Sequence, residues 1–121
     1  MPEELFKLEK EEFSKVDNEW QWTYFCRFNF TFKKRIIQKI TITDHPWKKK
    51  GREWMSRELI LDILKEKING IKRMRPDKKC ENRDIFVRKR VSYQDKKYKL
   101  VFWFKDETDN HLWIRNCHEQ D

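Results

Sequence analysis

The chain has 121 residues, 37% of them hydrophobic and 41% charged, which is enough for one core and too little for two ordinary domains. Its net charge of +8 points to polyanionic partners, and no run reaches the roughly 18 apolar residues that a bilayer-spanning helix needs. Three widely spaced cysteines, Cys26, Cys80 and Cys117, suggest neither a disulfide framework nor a CxxC metal site. The acidic start has neither the basic nor the apolar part of a signal peptide, so the expectation is a cytoplasmic protein with free thiols.

Charge is distributed unevenly. Residues 1–20 carry a net −4 and residues 106–121 another −4, leaving +16 on residues 21–105. A cationic segment of this kind releases counterions from a bound polyanion, which makes RNA or another nucleic acid the expected partner. The plainer reading is that the lysines and arginines only solvate a small aromatic-rich protein.

In chain order, Pro2 to Val16 reads as an amphipathic helix, with Leu5, Phe6, Leu8, Phe13 and Val16 on one stripe. From Glu19 the period becomes two: Trp20, Trp22, Tyr24, Cys26, Phe28, Phe30 and Phe32 alternate with polar residues, the pattern of a strand. That aromatic row suits a core and also resembles a base-stacking platform. Phe32-Lys33-Lys34-Arg35 turns the chain, and Ile36 to Thr43 returns as a second strand. Asp44 and Pro46 fit the start of a short helix that places His45 at its N-terminus, where the dipole favours the neutral ring, and Gly51 can end it. Ser56 caps a second helix whose apolar face is Leu59, Ile60, Ile63, Leu64, Ile68 and Ile71. Lys72 to Asn82 reads as a basic loop. Asp84–Val91, Tyr98–Phe104 and Leu112–Cys117 read as an antiparallel meander, with Arg88 and Arg90 on one side of the first strand.

The residues Ile42-Thr43-Asp44-His45, Arg52 and Met55-Ser56-Arg57-Glu58-Leu59-Ile60, followed by a closing sheet, resemble a family of small prokaryotic domains of unknown function that is itself similar to the RelE and BrnT toxins. The resemblance covers roughly the C-terminal two thirds. It implies an α+β fold, RelE-like, with helices packed on one face of a curved antiparallel sheet of about five strands. Residues 36–121 are then the core of a single domain to which residues 1–35 add a helix and an aromatic strand. It also implies metal-independent cleavage of RNA and an antitoxin protein as partner. Pro46 in place of a small residue, and lysines in place of an arginine before Arg52, depart from the pattern.

Cleavage of RNA without a metal needs a base for the 2′-hydroxyl, cations on the phosphorane and an acid for the leaving oxygen. His45 is the candidate base, Arg52 and Arg88 the phosphate clamp, and His118 the acid. Lys48, Lys49, Lys50 and Arg90 would hold the backbone, with Tyr98 or Trp103 stacking a base. Each also has a structural reading: His45 as a helix-entry residue, the arginines as solvated surface, His111 and His118 as bystanders, and Tyr98 and Trp103 as core. No metal or cofactor motif is present. Three functions are therefore in view: a toxin-like endoribonuclease, a non-catalytic nucleic-acid-binding accessory protein, and a protein-interaction module in which acidic ends meet basic middles in a homodimer.

Overall fold

Alternation with a period of two governs most of the chain. The computed structural model describes residues 5–44, 56–80, 83–105 and 108–120, the side chains of 78–80 and 83 excepted. The strands are β1 (Phe6–Ser14), β2 (Glu19–Cys26), β3 (Thr31–Phe32), β4 (Arg35–Ile36), β5 (Lys39–Thr43), β6 (Lys78–Cys80), β7 (Arg83–Tyr93), β8 (Lys96–Phe104) and β9 (His111–Gln120). The main sheet runs β1-β2-β5-β9-β8-β7, with the three-residue β6 added beside β7. All neighbours are antiparallel except β5 and β9, which pair in parallel from Lys39↔His111 to Ile42↔Ile114.

One face of this sheet is apolar and covered. Ile40, Ile42, Leu100, Phe102, Leu112 and Ile114 project from it and are fully buried with Ile60, Ile63, Leu64 and Ile68 of the helical segment. Each such side chain stabilises the fold by roughly 1.5–3 kcal/mol. The β3–β4 hairpin covers the rest: the Phe32 ring meets Phe86 at 5.3 Å and Phe102 at 5.4 Å. Helix α1 (Arg57–Ile63) starts where the sequence places it, with Ser56 Oγ accepting from Leu59 N at 3.0 Å. It then loosens into a π turn over Leu64–Ile68, closed by Asn69 N donating to Leu64 O at 2.9 Å. Gly70, at φ +92, ends the segment, and its amide donates to Thr31 O at 2.7 Å, tying the helix end to β3.

The expected α+β arrangement does not form. Sheet dominates, it is mixed rather than antiparallel, and among the described residues there is one short helix with its π turn; the short helix expected to start at Asp44 and end at Gly51 lies outside them. The stretch read as a helix from Pro2 to Val16 contains β1 instead. Its register shifts between Leu8 and Lys10, a bulge at Glu9, so Phe6 and Leu8 share a face with Glu11 and Phe13. That spacing imitates a helical stripe, and pairing along the whole of β2 outweighs the helical propensity of Glu and Lys. The long aromatic strand also breaks: β2 ends at Cys26, and Phe30 and Phe32 reach the core from the hairpin. The basic loop Lys72–Asn82 contains β6.

The C-terminal meander forms as the alternation indicates, with longer strands. Its first turn, Gln94-Asp95, has φ 48° and 67°, positive at both central residues of a two-residue hairpin. Non-glycine residues are strained in that region. Replacing Gln94-Asp95 by Asn-Gly is expected to stabilise the protein by about 1 kcal/mol, read as a higher urea midpoint at unchanged m-value. An unchanged or lower midpoint would contradict this account of the turn.

Candidate nucleic-acid interface

His45, Lys48, Lys49, Lys50 and Arg52 lie outside the described residues. The residues that bracket them are placed. The Asp44 amide donates to Trp20 O at 3.0 Å, and the Arg57 guanidinium lies over the Trp22 ring at 4.7 Å.

The remaining candidates fall on two sides of the sheet. Arg88 is opposite Leu100, on the covered face, with its side chain exposed near the sheet margin. The strand then bulges at Lys89 and Arg90, where Arg90 takes φ 54° and its amide donates to Gln120 Oε1 at 2.6 Å. The bulge resets the alternation, so Val91 faces the core with Phe86 and Arg88, and the expected pairing of Arg88 with Arg90 on one side does not hold. Tyr98 is 2% exposed in the core, and burial pushes its phenol pKa up; it offers no face to a base. Trp103 and His118 are on the opposite side, across from Trp113 and Lys99 respectively. Arg88 and His118 therefore do not converge, while Trp103 and His118 share a surface.

That surface is the second face of the sheet. Helix α1 and the β3–β4 hairpin both pack on the first, yet Gln21, Thr41, Thr43 and His111 at the centre of the second are buried too, and its exposed or half-buried residues include Phe25, Lys39, Trp113, Trp103 and the lysines of β8. Register assembles it row by row. Lys10, Thr23, Thr41, Trp113 and Trp103 lie side by side across five strands, and Lys7, Phe25, Lys39 and His111 form the next row. Lys105 closes this second row, its amide donating to His111 O at 2.8 Å and its Nζ lying 5.9 Å from the Trp113 ring centre. Lys97 and Lys99 extend the same face along β8 beside Gln120 and His118. The acidic groups of this face include Glu12, whose carboxylate is 3.2 Å from Lys10 Nζ, and Glu19. Glu19 is only 5% exposed, and burial raises its carboxyl pKa while Thr43 and Arg115, the latter at 4.0 Å, pull it back down.

A polar relay holds the centre of this face. Thr23 Oγ1 and Thr41 Oγ1 are 2.8 Å apart, and Thr41 Oγ1 is 2.7 Å from His111 Nε2. Burial, with help from Lys105 and Lys39, lowers the His111 pKa to about 4. The ring is thus neutral at pH 7 and engaged in structure. Cations around two tryptophans can hold phosphates and stack bases, but nothing among these residues pairs an exposed base with an acid.

The sequence reading missed Lys39, Lys99, Lys105 and Trp113 as a group. The signal was present in the alternation that set Lys99, Val101 and Trp103 together; carrying it across to His111, Trp113 and the parallel β5 required the topology. Cys26 and Cys117 are buried free thiols, with Cys26 pushed up to about 12 by burial, and are poor nucleophiles. Among the described residues no group of three His, Cys, Asp or Glu could hold a metal ion, and no helix is long and apolar enough to cross a membrane. Compared with family models, with curated proteins and with solved structures, the chain matches none.

Because the folded state holds His111 below its usual 6.5, the unfolded chain takes up this proton first on acidification. The resulting stability is complete above pH 6.5 and is lost as pH falls toward about 4, a loss on the order of 3 kcal/mol. His111→Gln keeps a partner for Thr41 and cannot protonate. Urea unfolding at pH 7 and pH 4.5 should show a smaller acid loss in the variant than in the wild type; equal losses would contradict the burial argument.

Proposed function

We propose that the protein binds single-stranded nucleic acid along the β9–β8 part of the second face of its sheet, with lysines on the phosphates and Trp103 and Trp113 beneath the bases. The observation that carries this reading is the row in which the two tryptophans stand opposite each other between Lys105 on one side and Lys99 on the other. Half-buried indole rings at the surface of a sheet suit unstacked bases, and stacking contributes about 1–3 kcal/mol per base irrespective of sequence. A duplex, whose bases face inward, has no use for the rings. Binding without cleavage is preferred to the toxin-like endoribonuclease because Arg88 and His118, two of its four catalytic residues, stand on opposite faces of the sheet.

Fluorescence anisotropy with a labelled oligouridine at several salt concentrations, with chelator present, tests this. The logarithm of the association constant should fall linearly with log salt. Lys39, Lys99 and Lys105 changed together to Ala should make that slope shallower by about 2, from roughly 0.7 per phosphate contact. Trp113→Leu should weaken binding by about tenfold while leaving the slope alone. Absence of binding at low salt, or an unchanged slope in the lysine variant, contradicts the reading. Cleavage of the oligonucleotide that disappears in His45→Ala and Arg52→Ala would replace it by the endoribonuclease.

A further inference from the structure

We propose that β1 is the contact through which two copies of this chain pair edge to edge into one continuous sheet. Among the described residues β1 is the outer strand on its side, exposed along almost its whole nine residues, whereas the opposite edge is the three-residue β6. A long uncovered edge presents unpaired backbone donors and acceptors to any strand that fits. Arg27 N donates to Leu5 O at 2.7 Å, while Cys26 N donates away from β1 to Gln38 O at 2.8 Å. Odd-numbered residues of β2 therefore serve β1. By alternation, and allowing for the bulge, the β1 residues whose backbone groups point outward are Phe6, Leu8, Glu11 and Phe13.

What selects a second copy as the occupant is that this edge complements itself. A two-fold axis perpendicular to the sheet presents the same strand in reverse and keeps each side chain on its own face. In an unbulged strand, Phe6 and Phe13 would lie on opposite faces and could not be partners. The bulge at Glu9 brings both to one face. Phe6 can then pair with Phe13 of the second copy, and Leu8 with Glu11 of the second copy, through their outward backbone groups. The same register sets Lys7 opposite Glu12, itself 3.2 Å from Lys10 of its own strand, and Glu9 opposite that Lys10, so the intrastrand pair is extended at both ends. Sliding by two residues in either direction sets Lys7 against Lys10 or Glu9 against Glu12, so like charges exclude the neighbouring registers.

The apolar side chains agree with this register. Phe13 is 47% exposed and Leu8 41%. Phe13 is edge-on to Trp20 at 5.6 Å, and Phe6 is edge-on to Phe28 at 5.2 Å. Pairing Phe6 with Phe13 joins these two ring pairs across the dyad into one cluster. Because the axis is perpendicular to the sheet, the lysine-bearing faces of both copies then lie on the same side.

Sedimentation of the full chain over a concentration series tests the proposal. The wild type is expected to be a dimer that dissociates on dilution. Lys7→Glu and Glu12→Lys, each placing like charges together at two symmetric positions, should each weaken dimerisation by roughly tenfold. The double variant Lys7→Glu/Glu12→Lys restores opposite charges and should recover the dimer, with circular dichroism confirming that all three variants are folded. A monomer at every concentration, a dimer indifferent to both single changes, or a double variant as weak as the singles would each overturn the proposal.

Discussion

The rest of the structure depends on the two-sided alternation of β5 and its neighbours. Ile40 and Ile42 point to one face and are fully buried, and Thr41 and Thr43, at 1% and 0% exposure, point to the other. Because each residue is committed to a face, a slip of one position would turn the isoleucines into the polar environment of Thr23 and His111 and bring the threonines into the apolar core. The apolar face recruits α1, its π turn and the β3–β4 hairpin. The opposite face takes the polar residues left over and is joined by the Thr23–Thr41–His111 relay rather than by hydrophobic packing.

Bulges decide which side chains meet. The shift in β9 between Ile114 and Asn116 lets Cys117 return to the core opposite Leu100 and leaves His118 beside Lys99. The shift in β7 sends Arg90 into a left-handed conformation and separates it from Arg88. The shift in β1 gives an edge strand its self-complementary pattern. Each adds one residue to one strand and inverts everything after it. Functional arrangement in this protein is therefore set as much by these irregularities as by the strands.

Much of the local structure was legible in the residues. The Ser56 cap, the place of the turn at Lys33-Lys34 and the order of the last three strands follow from side-chain chemistry and spacing, although φ values of 54° and 66° at two lysines do not. Phases across bulges were not legible, since one extra residue leaves no mark in a hydrophobic pattern; this misassigned β1 as a helix and misplaced Arg90. The parallel junction of β5 with β9 was also invisible, because it joins segments some seventy residues apart, and on it depends the meeting of Lys39 with His111 and of Thr41 with Trp113. Trp103 could be nominated from sequence, while its partners could not.

The positive charge of the central segment becomes meaningful through this geometry. Lysines distant in sequence are brought to one surface, around indole rings that are only partly buried. The most direct measurement is a two-dimensional NMR titration of the labelled protein with a short single-stranded oligonucleotide. The account predicts that the indole N–H signals of Trp103 and Trp113 and the amides of β5, β8 and β9 shift together, while those of α1 stay in place. Shifts centred on α1 and Trp22, or none at all, would contradict it.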